Sequence, residues 1–377
     1  MNSHYCILPF IHLHINEKDQ VKLCCYSNTL TQYTSEFDYL NNEDLQQVRS
    51  QLRQGLPVKQ CESCYQIERG GGESFRMRDT AEWKEKLKIQ DLTTFEPQLI
   101  YYDIRNDHTC NLSCRICHPG ASSQLEKEYK KLNWPIRTAS RKYKLTEIVD
   151  LDTVQQLQIA GGEPTIMPEF KQFLENAIAQ NRTDIELKII TNATNINLEY
   201  QNLLKSFPDK EFIVSIDGYN LINRYIRWPS NWETLVTNIH RLYKMTDRVS
   251  FNVTVSMWNI SNLSELILFL EKEFNNPLVF LNEAVPIDRA NVSPFNRPDL
   301  EVVLADLEKL KNCASYQTEE HFKNKVDYFL LKMKTRTLDI NVLRNFFNYN
   351  DQLDQLRNIK LENFVPELHA CKSYLNI

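Results

Sequence analysis

The chain has 377 residues, a formal charge of −5 and 42% hydrophobic residues, so it can bury one large core or several smaller ones. No apolar run reaches the roughly 18–20 residues that cross a bilayer, and no basic stripe typical of nucleic-acid binders is present. The start, MNSHYCILPF, lacks the charged and long apolar regions of a secretory signal. We therefore expect a cytoplasmic protein that contacts neither membranes nor nucleic acids.

The first 96 residues contain short predicted elements. CILPFIHLHI, a polar turn and VKLCCYS predict a β-hairpin within residues 1–30. Residues 43–54 have helical spacing that stops at Gly55, before Pro57. A C-x2-C pair, Cys61 and Cys64, follows.

From residue 97 the pattern alternates between apolar strands and amphipathic helices. Strands are predicted at 98–105, 154–161, 185–193, 211–218, 249–256 and 277–284. Six βα units in series predict a parallel sheet with right-handed crossovers, two units short of a closed barrel. The predicted fold class is α/β: a partial (β/α)6 TIM-like barrel at 97–290, a cysteine-rich module at 1–96 and a helical carboxyl-terminal extension at 291–377.

Eight of the ten cysteines fall in the first third of the chain. In a reducing compartment, clustered cysteines are more often metal ligands or catalytic groups than disulfides. Core filling would have scattered them along the chain. The remaining two, Cys313 and Cys371, lie in helical, apolar surroundings, so we expect buried inert thiols, with a catalytic hydrogen donor as the alternative.

The segment CNLSCRIC places Cys110, Cys114 and Cys117 directly after the first barrel strand. Three thiolates this close in sequence can hold three irons of one [4Fe–4S] cluster. No fourth cysteine follows in the loop, which leaves one iron open to a substrate or cofactor. A zinc site completed by His118 is the alternative, although structural zinc needs four protein ligands.

A second motif, AGGEP, ends the second barrel strand with Gly161, Gly162, Glu163 and Pro164. The glycines let a ligand approach the backbone closely, and Glu163 adds an acceptor for an ammonium group. One βα unit separates this turn from the three cysteines.

With both motifs present, the chain resembles the radical S-adenosylmethionine (SAM) enzymes. The resemblance implies that Cys110, Cys114 and Cys117 hold the catalytic cluster, while the amino and carboxylate groups of the methionine part of SAM chelate the open iron. It also implies that the Gly-Gly-Glu-Pro turn receives the methionine amino group. An external electron donor such as flavodoxin or ferredoxin would be the redox partner.

Later strands supply further cofactor contacts in enzymes of this family. The matching positions here, which the resemblance implies as cofactor-binding, are Thr191, Asn192, Ser215, Asp217, Arg227 and Asn259. Ser215 and Asp217 would point the same way on a strand. A surface ion pair is the alternative for Arg227, and a helix cap shared with Ser261 is the alternative for Asn259.

The amino-terminal cysteines form a further set: Cys6, Cys24, Cys25, Cys61 and Cys64. Four thiolates would fully ligate a second [4Fe–4S] cluster. The same number would satisfy zinc, and His12 and His14 are further candidate ligands in that alternative. Because neighbours on a strand point to opposite faces, only one of Cys24 and Cys25 can be a ligand. The segment resembles the twitch module of radical SAM enzymes, which implies an auxiliary [4Fe–4S] cluster.

The predicted function is reductive cleavage of SAM to a 5′-deoxyadenosyl radical that abstracts hydrogen from a substrate. Many relatives with auxiliary clusters modify a peptide or protein, and we expect the same here. Oxidation or rearrangement of a small, sugar-like alcohol is the alternative enzymatic function. A zinc-stabilised, non-catalytic interaction protein is the third, and the intact motifs argue against it.

Overall fold

The computed structural model describes residues 4–70, 72–105, 107–136, 142–287 and 289–375. The strands are β1 (His12–Ile15), β2 (Gln20–Lys22), β3 (Thr29–Gln32), β4 (Tyr101–Ile104), β5 (Gln156–Ile159), β6 (Glu186–Thr191), β7 (Lys210–Ser215), β8 (Val249–Val255) and β9 (Val279–Glu283). All six predicted barrel strands are therefore present, as β4 to β9.

The α-helices alternate with the strands and then fill the carboxyl-terminal region. They are α1 (Leu8–Ile11), α2 (Glu43–Arg53), α3 (Glu62–Arg69), α4 (Phe75–Lys86), α5 (Ser123–Lys131), α6 (Leu145–Ile148), α7 (Pro168–Ala179), α8 (Leu198–Lys205), α9 (Leu221–Ile226), α10 (Trp232–Tyr243), α11 (Leu263–Phe274), α12 (Leu300–Lys309), α13 (Ala314–Thr318), α14 (Glu320–Thr335), α15 (Ile340–Arg357) and α16 (Pro366–Ala370). In the described parts of the chain, no helix combines the length and apolarity that a membrane span requires.

Two compact units make up the chain. Unit 1 comprises Met1–His108, Ala139–Ile189 and Leu198–Lys210, and unit 2 comprises Thr109–Thr138, Ile190–Asn197 and Glu211–Ile377. The predicted modules at 1–96, 97–290 and 291–377 cut the sequence differently, and they stay a prediction. Within unit 1 the strand order is β3-β2-β1-β4-β5-β6, and within unit 2 it is β7-β8-β9.

The strands are mostly parallel. In unit 1, β1 pairs in parallel with β4 and β4 with β5, while β2 and β3 run antiparallel. In unit 2, β7, β8 and β9 are all parallel. The predicted α/β class with a mostly parallel sheet and a helical carboxyl-terminal region is confirmed.

The amino-terminal strand β1 lies beside β4, with His12 opposite Tyr101 and His14 opposite Asp103. Side chains alternate along a strand, so these four polar residues share one face of the sheet. The intervening positions carry the aliphatic residues Leu13, Ile15 and Ile104 and the aromatic Tyr102. The pattern of the sequence thus produces one face with most of the polar groups and one that is mostly apolar.

Two details of the predicted hairpin were wrong. Residues Leu8–Ile11 form a helical turn, because Pro9 fits the first turn of a helix and cannot donate to a strand ladder. Strand β2 ends at Lys22, so Cys24 and Cys25 lie in a turn. The helix predicted at 43–54 is confirmed as α2, and the Asn42 side chain caps it by accepting from the Leu45 N–H.

The core of unit 2 joins the region of the three cysteines to the carboxyl-terminal helices. Leu125 and Tyr129 of α5 are fully buried in one apolar cluster with Leu343, Phe346 and Leu353 of α15. Ile116 and Cys117 pack against the same cluster. Residues more than 200 positions apart therefore build one core.

Candidate functional site

The three cysteines of CNLSCRIC lie close together in unit 2. Cys110 and Cys114 are 7% and 9% exposed and pack with Leu112, while Ile116 and Cys117 lie against this small cluster. None of the three cysteines is in a disulfide bond. A loop that already gathers three thiols among apolar side chains fits a [4Fe–4S] cluster held by three ligands.

The segment after β6 lies against this loop. The Asn192 Nδ2 atom donates to Asn111 Oδ1 at 3.0 Å and lies 3.9 Å from the Cys110 sulfur. Asn111 Nδ2 in turn donates to Thr194 Oγ1 at 2.8 Å. Thr191 is buried, and its hydroxyl accepts from the backbone N–H two residues further on. Thr191 and Asn192 are both predicted cofactor contacts, and Asn192 is the one that lies beside a cysteine.

Arg227 lies in the electrostatic environment of the same loop. Its Nε atom is 2.6 Å from Asp217 Oδ2, and Asp217 is fully buried. Burial raises the pKa of the Cys114 thiol, and the Arg227 charge partly offsets that effect. The ion pair considered as an alternative for Arg227 exists, but it is buried.

Asn259 joins the ends of two neighbouring strands. Its Nδ2 atom donates to the carbonyl oxygens of Asp217 and Thr254 at 2.6 and 2.8 Å, and its Oδ1 accepts from the Ser256 N–H at 2.7 Å. It is not a helix cap, since α11 is preceded by Asn262. Ser215, the last residue of β7, is half-buried. Contact between either residue and a cofactor remains a prediction.

In unit 1, the Gly-Gly turn follows β5 and depends on glycine. Gly161 has φ = 125°, and a Cβ at this position would lie 2.5 Å from the Asp107 carbonyl oxygen. That region of φ is strained for any residue with a side chain. The Gly162 N–H donates to the same carbonyl at 2.9 Å. The turn therefore folds tightly onto the segment that follows β4.

Glu163 is fully buried at the start of a short 3-10 turn that begins with Pro164. Its Oε1 atom accepts from the Thr165 N–H at 3.2 Å and from the Thr165 hydroxyl at 2.7 Å. A buried carboxylate held in one orientation is suited to binding an ammonium group.

Four of the amino-terminal cysteines line one cavity in unit 1. The residues of its wall include Cys6, Cys24, Cys61 and Cys64, together with Leu8, Leu23, Phe75 and Arg76. The thiols come from the chain start, the turn after β2 and the first residues around α3. A largely apolar cavity with four free thiols fits a fully ligated cluster.

Burial and charge act in opposite directions on the ionisation of the thiols in this cavity. Burial raises the pKa of Cys6 and Cys24 well above the ordinary value and that of Cys61 to about 12. Arg76 acts in the opposite direction on Cys61. Its guanidinium is buried and pairs with Glu68 at 2.5 Å. Arg76 was not among the predicted site residues, although two arginines in FRMR close to a C-x2-C pair are a signal.

The turn after β2 separates the two neighbouring cysteines. Ser27 Oγ accepts from the N–H groups of Leu23 and Cys24 at 2.9 and 3.2 Å, which fixes the turn. Cys24 lines the four-cysteine cavity and Cys25 does not. The pKa of Cys25 is raised to about 12 by burial and then by the nearby Asp103.

His12 and His14, proposed as zinc ligands in one alternative, have other partners. His12 Nδ1 bonds the Leu23 carbonyl at 3.1 Å, and burial lowers the pKa of His12 to about 4. His14 Nδ1 lies 2.8 Å from Asp103 Oδ2. Burial alone would raise the pKa of Asp103, but His14 and Arg105 hold it well below its usual range. Neither histidine lines the cavity.

Within the described ranges, no three His, Cys, Asp or Glu side chains are arranged as a ready-made site for a single metal ion. The case for an iron–sulfur cluster at each of the two cysteine sites therefore depends on the proximity of the thiols. Cys313 and Cys371 are buried, as predicted, and burial raises their pKa values to about 12 and about 11.

Comparison with known proteins gives one family match. Residues 108–270 match the Radical SAM superfamily. No curated protein matches the chain by sequence.

Among solved structures, anSMEcpe with bound AdoMet is 16% identical with a TM-score of 0.41, over 60% of this chain and 62% of that one. SuiB of Streptococcus suis bound to the precursor peptide SuiA is 13% identical with a TM-score of 0.34, over 84% and 67%. The chain thus spans less than two thirds of the length of anSMEcpe, and similarity this low carries no argument about substrate.

The family match covers the three-cysteine loop, the Gly-Gly-Glu-Pro turn and the strands from β5 to β8. The predicted membership rested on the same residues, and the superfamily assignment is confirmed. Residues 108–270 of this chain are a domain of the radical SAM superfamily.

Proposed function

We propose that the chain is a radical SAM enzyme with a partial (β/α)6 barrel and a second, auxiliary [4Fe–4S] cluster, and that it oxidatively modifies a peptide or protein. The observation that carries the proposal is the grouping of thiols into two sets. One set is the three-cysteine loop of the family-matched region, and the other is the four-cysteine cavity of unit 1.

Each part of the chain has a defined task in this proposal. Cys110, Cys114 and Cys117 would hold the catalytic cluster, and Glu163 would bind the amino group of SAM. The cluster that the three cysteines would hold, with one open iron, would pass an electron from an external donor to SAM and so cleave it to methionine and a 5′-deoxyadenosyl radical, which would take hydrogen from the substrate. The apolar residues around the three-cysteine loop would exclude water from this chemistry.

The auxiliary site would be held by Cys6, Cys24, Cys61 and Cys64. Four thiolates leave no open iron, so this site suits electron transfer rather than SAM binding. Loss of a hydrogen atom leaves a substrate radical, which must lose one more electron and a proton to reach a closed-shell oxidised product, and the auxiliary site would accept that electron. Arg76 adds a positive charge to the cavity wall, which offsets part of the charge of four thiolates.

The peptide part of the proposal follows from the twitch resemblance, because many enzymes with auxiliary clusters modify peptides. It is also supported by β3, the outermost strand in the order of unit 1, whose Thr29 and Gln32 are exposed. An extended peptide can add to a sheet edge of this kind.

A double variant, Cys61→Ala/Cys64→Ala, tests the proposal. After anaerobic reconstitution the parent should hold about eight irons and the variant about four, because each cube contains four. The folded variant should still form 5′-deoxyadenosine but should fail to complete substrate turnover. Cys313→Ala is the matched control, and circular dichroism monitors folding because ligand loss can unfold a metal-linked region.

Zinc at the amino-terminal site, with only four irons in the parent, would contradict the auxiliary cluster. Substrate class is tested separately by the rise in 5′-deoxyadenosine that added compounds cause above the uncoupled rate. Peptides encoded by neighbouring genes should raise it. A rise with sugar-like alcohols alone would indicate that the substrate is a small metabolite and not a peptide.

A further inference from the structure

The backbone on both sides of Cys114 is held by parts of unit 2 that lie far away in sequence. The N–H groups of Ser113 and Arg115 donate to the carbonyl oxygens of Trp228 and Ile226, each at 2.7 Å. This short ladder fixes one side of the cysteine. The two carbonyl groups of Ser113 and Arg115 point to other partners.

Those partners belong to α15 in the carboxyl-terminal region. The Arg357 guanidinium donates to the Ser113 carbonyl at 2.6 Å, and the Tyr349 hydroxyl donates to the Arg115 carbonyl at 2.8 Å. All four backbone polar groups that flank Cys114 are thus bonded, two of them by α15.

The side chain of Arg115, between the second and third cysteines, is bound to the same helix. It is fully buried, donates to Asn350 Oδ1 at 3.0 Å and forms an ion pair with Asp354. Its guanidinium also lies 3.7 Å from the centre of the Tyr225 ring. A buried charge of this kind persists only with a complete set of partners.

We propose that α15 is part of the cluster site and that Tyr349, Asn350, Asp354 and Arg357 are positioning residues for Cys114. They act through the loop backbone and through Arg115, and none of them is a ligand. The carboxyl-terminal helices would then determine how long the loop retains its cluster and how well the open iron is presented to SAM. This inference rests on the assignment of Cys110, Cys114 and Cys117 as ligands.

The physical reason is the short spacing of the loop. Three thiolates separated by three and two residues must point to one cube, so small backbone rotations at Cys114 change the ligand geometry. Hydrogen bonds from a packed helix restrict those rotations without adding bulk near the cluster. Supporting interactions of this kind typically change metal affinity or activity by about 10–100-fold when they are removed.

The test uses the reconstituted full-length protein with two pairs of variants. Tyr349→Phe removes one hydroxyl and is compared with Tyr316→Phe, whose hydroxyl bonds Asp327 elsewhere in the helical region. Asp354→Asn is compared with Asp351→Asn, an exposed aspartate on the same helix that pairs with Lys372.

The readouts need no substrate. One is the rate at which an iron chelator removes the electron paramagnetic resonance signal that SAM perturbs, and the other is uncoupled formation of 5′-deoxyadenosine. We expect Tyr349→Phe to lose the signal about fivefold faster than Tyr316→Phe, the effect of one hydrogen bond. Asp354→Asn should lose it faster still, while both controls behave like the parent.

Melting temperatures separate positioning from general stability. If Tyr349→Phe and Asp354→Asn lose the signal at the rates of their controls, the inference is overturned, whatever their melting temperatures. Failure of the ligand assignment would look different, because Cys114→Ala would then keep the SAM-perturbed signal. Tyr349→Phe keeps the ring that stacks on Trp134, so it removes one hydrogen bond while preserving the aromatic packing.

Discussion

The two cysteine sites differ in how their ligands are brought together. The three cysteines of unit 2 span eight residues, from Cys110 to Cys117, and a single loop gathers them. The four cysteines around the cavity of unit 1 come from three separate segments between Cys6 and Cys64. Short spacing in the sequence is enough to bring the ligands of the first site together. The second site forms only after the hairpin, α3 and α4 have packed.

This difference predicts different responses to damage. When one cysteine of the three-cysteine loop is removed, the other two thiols stay close together. The loop then fails to hold a cluster because it has too few ligands, and the fold is retained. A cavity assembled from distant segments depends on folding, so removal of ligands affects both metal content and stability.

Cys114→Ala should abolish 5′-deoxyadenosine formation with dithionite, because two thiolates cannot hold the site-differentiated cube. The protein should remain folded and keep about four irons at the other site. Cys313→Ala, a buried thiol outside both sites, serves as the control, and product is measured by chromatography. If Cys114→Ala forms 5′-deoxyadenosine at the parental rate, Cys114 is not a ligand of the catalytic cluster.

Cys24→Ala and Cys25→Ala form the sharpest pair for the unit 1 site. We expect Cys24→Ala to lose about four irons and Cys25→Ala to keep all of them, since only Cys24 lines the cavity. Iron and sulfide analysis after reconstitution measures both. Equal losses in the two variants would show that the turn fixed by Ser27 does not select one ligand.

Glu163→Ala should weaken SAM binding by about 1.5–3 kcal/mol, the usual cost of losing a hydrogen bond to a charged group. Equilibrium binding to the reconstituted protein measures the change. Thr165→Val controls for loss of the local turn, because it removes the hydroxyl that Glu163 accepts from. Glu175→Ala, an exposed glutamate on α7, controls for charge, and unchanged binding by Glu163→Ala would exclude its role.

Asp79→Asn should change the stability of the protein, and the change should depend on pH. Burial raises the pKa of Asp79 to about 7. The folded protein therefore holds this proton more tightly than the unfolded chain, and the free energy of unfolding falls as pH rises from about 4 to about 7.

Asp79→Asn should accordingly raise the free energy of unfolding at pH 8, by up to about 4 kcal/mol, with the gain shrinking toward pH 4. Urea unfolding across this range measures the effect, and Asp152→Asn, an exposed aspartate, should give no gain. An equal gain for Asp79→Asn at pH 4 and pH 8 would contradict the raised pKa.

The sequence determined the features that depend on local spacing. C-x3-C-x2-C placed three thiols in one loop, Gly-Gly-Glu-Pro marked a turn that only glycine can form, and the apolar periodicity located β4 to β9. Each of these follows from residues close to one another in the chain, so no knowledge of packing was required.

The tertiary structure decided what depends on distant residues. It placed β1 beside β4, brought Cys6 and Cys24 to the cavity of Cys61 and Cys64, and paired Arg227 with Asp217. It also joined Arg115 to Asp354 across more than 200 positions, because a buried guanidinium must find its partners wherever the fold supplies them. Hydrogen-bond and charge satisfaction is a property of the packed molecule, and no local pattern encodes it.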